Sequence, residues 1–411
     1  MINSKKKGFT IVELVIVIAV IAILAAVLIP TFSSLVRKAN ISSDTVLAKN
    51  LNTALSLYEA DNEVKEFEDA LEGIKEHGYL IANLNAKTSG CLFVWEKETN
   101  QILLVDSKAD YKVLFSAKDG YGDPDESWHF AISNKEIAND VRTYFIEKNV
   151  EVEIKQTIAS IKDLNSWLAD GGTQVFYLDE SMVIENEKTI KINSGNITFD
   201  LGNSSISTKG VIEDSPIFLN KGKLTIKGGT INANGIEESI YGEYPVGIGY
   251  EVETELVIEG VNFIGYTAIN GTWKESGQIN ITVKDSTFNV ENSGIIVSPG
   301  VVQTNDESVK VINCNITAGV NAILVNQGTK LVVDGGYYKG EKALYLEAAG
   351  PEASAVIKNG TFDGNIKVEG EHKLIIEKGT FYNTGLTLDE FKTYVKSGHT
   401  VETVNGAFVV K

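Results

Sequence analysis

"LTIKGGTI", residues 224–231, alternates apolar and polar side chains, turns on a glycine pair and ends on another apolar residue. The same template returns as "LVIEGVNF" from Leu256, "ITVKDSTF" from Ile281, "VKVINCNI" from Val309, "LVVDGGYY" from Leu331, "AVIKNGTF" from Ala355 and "LIIEKGTF" from Leu374, with starts 19 to 32 residues apart. Alternation with a period of two is a strand signal, because successive side chains on an extended backbone point to opposite faces. A second short strand follows several copies: "GIIV" at Gly294, "AILV" at Ala322, "ALYL" at Ala343 and "NIKV" at Asn365. Short strands in a repeat of about 20 to 30 residues, broken by Gly/Asn corners, specify a solenoid in which each coil covers the open edge of the last. Gly228-Gly229 and Gly335-Gly336 supply corner conformations that side chains disfavour. Ile226, Ile258, Val283, Val311, Val333, Ile357 and Ile376 fall on one line of the interior.

This repeat resembles the right-handed parallel β-helix of pectate-lyase-like proteins, and the expectation assigns it residues 151–411. Residues 157–184 read as an N-terminal cap of a helix and strands ahead of the first coil. Residues 385–411 read as a closing helix and hairpin, with Thr387 and Glu390 at capping-box spacing. Fold alone does not settle activity. The resemblance implies that a lyase of this fold would bind uronate through calcium and use a basic residue, often arginine, yet residues 151–411 contain no arginine. Related glycoside hydrolases gather aspartates beside a histidine. Here His372 and His399 are isolated, and Asp285 and Asp334 sit at corners where turn formation accounts for them. The expectation is therefore a binding module, not an enzyme, with no catalytic residue assigned. Tyr241, Tyr244 and Tyr250 lie among glutamates within residues 235–255, and Trp273, Tyr337 and Tyr338 extend the set. Rings beside carboxylates stack on sugars and bond their hydroxyls, which makes these six the candidate ligand-binding residues.

At the other end, residues 5–30 read "KKKGFTIVELVIVIAVIAILAAVLIP". The nearly apolar run 10–29 makes a helix about 30 Å long, enough to span a bilayer. It is longer than a secretory signal core. Lys5, Lys6 and Lys7 hold the N-terminus in the cytoplasm and leave the bulk of the chain outside. A plain anchor explains neither the Gly8-Phe9 junction nor Glu13, a carboxylate costing about 2.5–3.5 kcal/mol in a membrane helix.

"KKKGFTIVE" resembles the processing site of type IV prepilins and of type II secretion pseudopilins. The resemblance implies a leader, residues 1–8, cut after Gly8 by a prepilin peptidase, leaving Phe9 as the N-methylated terminus. Glu13 falls fifth in the mature chain, where the family carries a glutamate, and Pro30 falls where family helices kink. In a filament the Glu13 carboxylate would face the amine of a neighbouring subunit. A buried charge is tolerated when paired, so the penalty would fix axial register. Residues 9–60 are expected as one helix, with Leu47, Leu51, Ala54, Leu55 and Tyr58 on the packed face and Lys49, Asn52 and Glu59 on others.

Residues 61–150 are expected as a pilin-like α/β head. Val64, Phe67, Leu71 and Ile74 recur at helical spacing up to His77-Gly78, a C-cap signal. Residues 91–97 and 101–106 read as a hairpin. Asp119, Asp123, Asp125 and Glu126 occupy a Gly/Pro-rich loop. Some pseudopilins hold calcium in such a loop, so these four are the candidate metal ligands; Ca²⁺ is the one cofactor considered, against a solvated turn. The fold class is thus a long N-terminal helix with a small antiparallel sheet (α+β, pilin-like) followed by an all-β parallel β-helix.

With 55 acidic against 37 basic residues and a net charge of −18, the chain repels phosphate backbones, and no nucleic-acid partner is expected. Only Arg37 and Arg142 carry guanidinium groups. Cys91 and Cys314 show no zinc spacing; one disulfide or none fits, and both read as small buried residues. The expected function is a minor or tip subunit of a type IV pilus-type filament, displaying the β-helix for adhesion or surface glycan binding. The alternatives are an envelope-tethered polysaccharide lyase or hydrolase and a cargo-contacting pseudopilin. The expected partners are the prepilin peptidase, other pilin subunits, the membrane and a surface glycan or host-cell ligand. The chain would rest in the plasma or inner membrane before assembly and then on the cell surface.

Overall fold

The computed structural model describes residues 11–81, 84–158, 161–168, 172–178, 180–185, 190–192, 194–209, 217–219, 222–233, 246–248, 254–272, 278–299 and 302–411. The chain forms two compact units, Met1–Ala131 with Asp140–Glu153, and Ile132–Asn139 with Ile154–Lys411.

In the first unit, helix α1 runs from Ile11 to Glu59 without interruption, 49 residues or roughly 75 Å. Its first half exposes apolar side chains, and none of its most apolar window is buried within the protein. Pro30 lies inside the helix, where it lacks the N–H that would bond the carbonyl four residues back. One residue on, Thr31 Oγ1 donates to the Val27 carbonyl at 2.9 Å, a side-chain bond of the kind that bends helices. The second half of α1 packs on the head through Asp44, Ala48, Leu51, Asn52, Ala54 and Leu55. Leu47 and Tyr58 are only half-buried. Asn52, expected on an outer face, is buried instead.

Helix α2 (Phe67–Glu76) starts after Val64; the Asp69 carboxylate accepts the Lys65 and Glu66 N–H groups at its entry. His77 closes it, its Nδ1 2.8 Å from the Gly73 carbonyl, a capping role as expected. Strands β1 (Cys91–Glu96), β2 (Gln101–Asp106), β3 (Lys112–Phe115) and β4 (Trp128–Ile132) make an antiparallel sheet in the order β3-β2-β1-β4. Every residue of β2 is buried. The hairpin turn is held by Glu96, which accepts the Glu98 and Thr99 N–H groups. Phe67 stacks on Trp95 at 5.6 Å, and Tyr111, Phe130 and Phe145 form a second aromatic cluster.

The second unit is a parallel β-helix. Leu224, Leu256, Ile281, Val309, Leu331, Ala355 and Leu374 pair in direct register from coil to coil, and so do the seven interior positions from Ile226 to Ile376. A second face pairs Ile206, Ile231, Phe263, Phe288, Ile316, Tyr338, Phe362 and Phe381. A third runs through Ile190, Ile217, Val246, Ile269, Ile295, Ile323, Leu344 and Ile366. The first face also begins earlier than the template: Thr173–Leu178 and Asn196–Lys209 pair in parallel, and the latter pairs with the Leu224 strand. Thr173–Leu178, expected as part of the cap, is a coil strand, and Asn196–Lys209 is a further coil that the template did not include. Register shifts at Lys227/Gly228 and Gly228/Thr230 mark an irregular corner that disguises the match.

At the corner after the first face, Gly228, Gly260, Asp285, Asn313 and Gly335 all take positive φ, between 49° and 76°. Aspartate and asparagine tolerate that region better than other side chains do, so Asp285 is a turn residue. Gly336 is tighter: at φ 87° an added Cβ would run into the Cys314 carbonyl oxygen of the coil beneath. At the C-terminal end, Thr387 and Glu390 form the capping box of the short helix Leu388–Lys392. Strand Ala407–Val410 then pairs antiparallel with Gly379–Tyr382, ending the parallel ladder and covering its edge.

Candidate functional site

The expected assembly segment lies in the exposed half of α1. Gly8 and Phe9, the expected processing pair, lie outside the described residues. Glu13 sits in the first described turn of the helix, exposed among exposed Ile11, Val12, Leu14 and Val15. A carboxylate in such an apolar run is costly to desolvate without a partner. Pro30 follows at the outer end of the apolar run.

The head is fixed to this helix by polar contacts as well as by packing. Asp44 accepts from Lys87 N at 2.8 Å, Thr88 N at 2.9 Å and Thr88 Oγ1 at 2.6 Å. Asn52 Oδ1 accepts Ile102 N at 2.9 Å while its Nδ2 donates to the Ile102 carbonyl at 2.8 Å. Arg37 pairs with Asp106 at 2.6 Å. Cys91 and Cys314 are free, buried and in different units; burial pushes each thiol up to about 11.

Of the candidate ligand-binding residues, Tyr241, Tyr244, Tyr250 and Trp273 lie outside the described residues. Tyr338 is corrected: it points inward, fully buried and stacked on Phe362 at 4.8 Å, with its Oη donating to the Gly335 carbonyl. Its ring has no free face for a ligand. Tyr337, one residue away on the pleat, points outward. It belongs to a row that aligns Thr230, Asn262, Thr287, Asn315, Tyr337, Thr361 and Thr380. The next outward row aligns Asn232, Ile264, Asn289, Thr317, Lys339, Asp363 and Tyr382. In these two rows of an otherwise strongly charged chain, the only charges are Lys339 and Asp363, 3.4 Å apart.

Asp363 is the centre of this face. Asn383 Nδ2 donates to its Oδ1 at 2.7 Å and Tyr337 Oη to its Oδ2 at 3.1 Å. The Asn383 hydrogen bond, then those from Tyr337 and Lys339, hold its carboxyl below the usual aspartate range. Tyr382, 40% exposed, aligns with Asp363 on the adjoining coil. An ionised, oriented carboxylate between two tyrosines on a flat Thr/Asn surface suits hydroxyl-rich ligands. The sequence reading includes Tyr337, which lies on this outward face, but not Asp363, Tyr382 or Asn383. The available signal was the outward position directly after the last apolar residue of the template.

Of the candidate metal ligands, Asp125 accepts Ser127 N and Oγ at 2.8 and 2.6 Å within its own turn. Among the described residues no three His, Cys, Asp or Glu side chains are gathered as a metal site requires, so Asp119, Asp123, Asp125 and Glu126 are not brought together. His372 is committed on both sides, Nδ1 accepting Ala353 N at 3.1 Å and Nε2 donating to the Glu347 carbonyl at 2.6 Å.

A long, apolar, membrane-length helix with a carboxylate near its start, a small antiparallel head and a β-helix make a pilin-like architecture with an added solenoid. The comparisons agree. The profile described as prokaryotic N-terminal methylation motif matches residues 3–29. The fimbrial protein EcpC of Eikenella corrodens is 33% identical over 109 residues, 26% of this chain and 67% of that one. The type IV wide pilus major component PilA4 of Thermus thermophilus is 52% identical over 59 residues, 14% of this chain and 43% of that one. The type IV major pilin protein PilE of Neisseria gonorrhoeae is 41% identical over 56 residues, 14% and 34% of the two chains. This chain belongs to the type IV pilin (fimbrial protein) family. It spans two thirds of the Eikenella protein and less than half of the other two. No solved structure matches it. The apolar helix and the pilin relatives fit a membrane-anchored precursor that becomes a surface filament.

Proposed function

We propose that this chain is a minor or tip subunit of a type IV pilus-type filament that carries its β-helix outward as a non-catalytic adhesion module. The observation that carries the reading is the joining, in one chain, of a pilin-type helix and head to a separately compact solenoid, Ile154–Lys411. A prepilin peptidase would cut after Gly8, and subunits would associate through the exposed half of α1, each Glu13 facing the new amine of a neighbour. A solenoid on every subunit would crowd a thin filament, which favours sparse or terminal placement. The module would bind a neutral, hydroxyl-rich surface glycan on the Tyr337–Asp363–Tyr382 face. Support for binding rather than cleavage comes from the missing arginine and from His372 being tied to the backbone on both sides.

The test is to express the chain, tagged after Lys411, in a pilus-producing host with a prepilin peptidase. Expected are a mature terminus at Phe9 by mass spectrometry, tag in sheared filaments at far below one copy per major subunit, and retention on a glycan array without product release. Glu13→Ala would be processed normally yet largely lost from filaments. An intact leader would defeat the filament reading, and unsaturated or reducing-end products would make the module an enzyme.

A further inference from the structure

Where α1 leaves its apolar stretch, two hollows adjoin on its surface. One, about 440 Å³, is apolar and lies along Leu28, Ile29, Phe32 and Leu35. The other, about 320 Å³ and open to the surface, shares Phe32 and Ser33 with it and is lined also by Val36, Arg37, Lys87 and Ser89. The second is cationic. Arg37 Nη1 donates to the Ser89 carbonyl at 3.0 Å, and Lys108 Nζ donates to Ser89 Oγ at 2.9 Å, so Ser89 gathers both cations. The Lys108 stem lies over Gly90, where any side chain would collide with it. Lys87 Nζ bonds Ser43 Oγ at 3.2 Å, and exposed Lys38 follows Arg37 on the helix. The carboxylates here are engaged: Asp106 by Arg37, and buried Asp44 by Lys87 N and by Thr88. Among the described residues the Lys87 and Lys108 ammonium groups bond hydroxyls and pair with no carboxylate. In a chain of net charge −18 this is a local excess of positive charge at one end of an apolar groove.

We infer that this two-part groove seats an anionic membrane phospholipid, its phosphate among Arg37, Lys87 and Lys108 and its acyl and glycerol part along Phe32 and Leu28. The inference rests on the reading of α1 as the membrane anchor. Arg37 lies eight residues past Ile29, about 12 Å further along the helix, within reach of the headgroup layer for long side chains that lay their stems toward apolar surface. A free phosphate would use the cations and ignore the apolar hollow, so the continuity of the two selects a lipid. Each lysine near an anionic bilayer surface is worth roughly a fivefold change in association, and the effect fades with salt.

The experiment uses the full chain in nanodiscs of phosphatidylcholine, with or without phosphatidylglycerol, one chain per disc. Hydrogen exchange of residues 84–90 and 107–111 is expected to slow about fivefold or more when phosphatidylglycerol is present. Lys38→Gln/Lys87→Gln/Lys108→Gln, at three exposed positions, should abolish that slowing, with melting in phosphatidylcholine measured alongside to show that the variant is folded. The triple change Lys223→Gln/Lys284→Gln/Lys310→Gln, on the solenoid, should not. Equal exchange in both discs, or slowing that survives the first triple variant, overturns the inference. Full slowing by millimolar inorganic phosphate in phosphatidylcholine discs also overturns it, in favour of a free-anion site. Failure to enter either disc is seen separately, as protein eluting without lipid, and would remove the membrane reading itself along with this site.

Discussion

At the scale of single residues, the head depends on polar groups buried on the helix face that meets the sheet. Strand β3 pairs with β2 only from Leu104 onward, so Ile102 lies beyond that pairing, and Asn52 takes both its N–H and its carbonyl. A buried backbone group without a partner costs about 1–3 kcal/mol. Asn52→Ala strands two of them and opens a small void, so we expect a loss of about 2–4 kcal/mol. Urea unfolding of the micelle-held chain, followed by Trp95 and Trp128 fluorescence, measures this. A change under about 0.5 kcal/mol, the range of neutral surface substitutions, would show that water replaces the amide without loss. Nothing in the sequence announces Asn52 or Asp44. Periodicity sorts side chains by polarity, so a buried asparagine at helical spacing reads as an outward one. Glu13 is the opposite case: an unexpected carboxylate in a uniform apolar run stands out because the run is uniform.

At the scale of elements, the solenoid was legible because its coils stack in register. The template starts drawn from sequence are the residues that pair, coil on coil, from Leu224 to Leu374. What repeats is an interior position, and the interior takes apolar side chains, mostly Ile, Val, Leu and aromatics with a few Ala. The two earliest coils escaped notice because their corner carries extra residues, which breaks the spacing while leaving the pairing intact. The outward faces were less legible, since solvent imposes no such repeat; hence Tyr338 was taken with Tyr337 although the pleat sends them to opposite sides. The interior aromatics also tie the last coils to the cap: Tyr338, Phe362 and Phe381 stack at 4.8 and 5.1 Å, and Phe381 meets Phe391, which meets Phe408. Phe381→Ala should therefore cost about 3–5 kcal/mol. In a solenoid each coil touches only its neighbours, so the damage should stay local. Hydrogen exchange should speed up across residues 373–411 while residues 256–290 keep their protection. Uniform loss of protection along the whole solenoid would mean that it unfolds as one cooperative block.

At the scale of the whole molecule, the chain combines two structural economies that ask different things of their sequence. The first unit exposes a long apolar helix of the length and composition that a membrane or a filament core would cover. The second buries its own ladders and closes its C-terminal edge with an antiparallel strand. If assembly resides in the first and display in the second, they should be separable. A chain ending at residue 153 retains α1, the sheet and both stabilising polar contacts of Asp44 and Asn52. It loses the bulk that limits how many copies a thin filament accepts. We therefore expect the truncated chain to be processed after Gly8 and to enter sheared filaments at equal or higher copy number than the full chain. Cells carrying it should lose whatever surface retention the full chain confers. Quantitative immunoblotting of sheared filaments against the major subunit, alongside a retention assay on glycan-coated surfaces, reads both halves at once. A truncated chain that stays in the membrane despite normal processing would show that the solenoid takes part in assembly, and the division of labour would have to be abandoned.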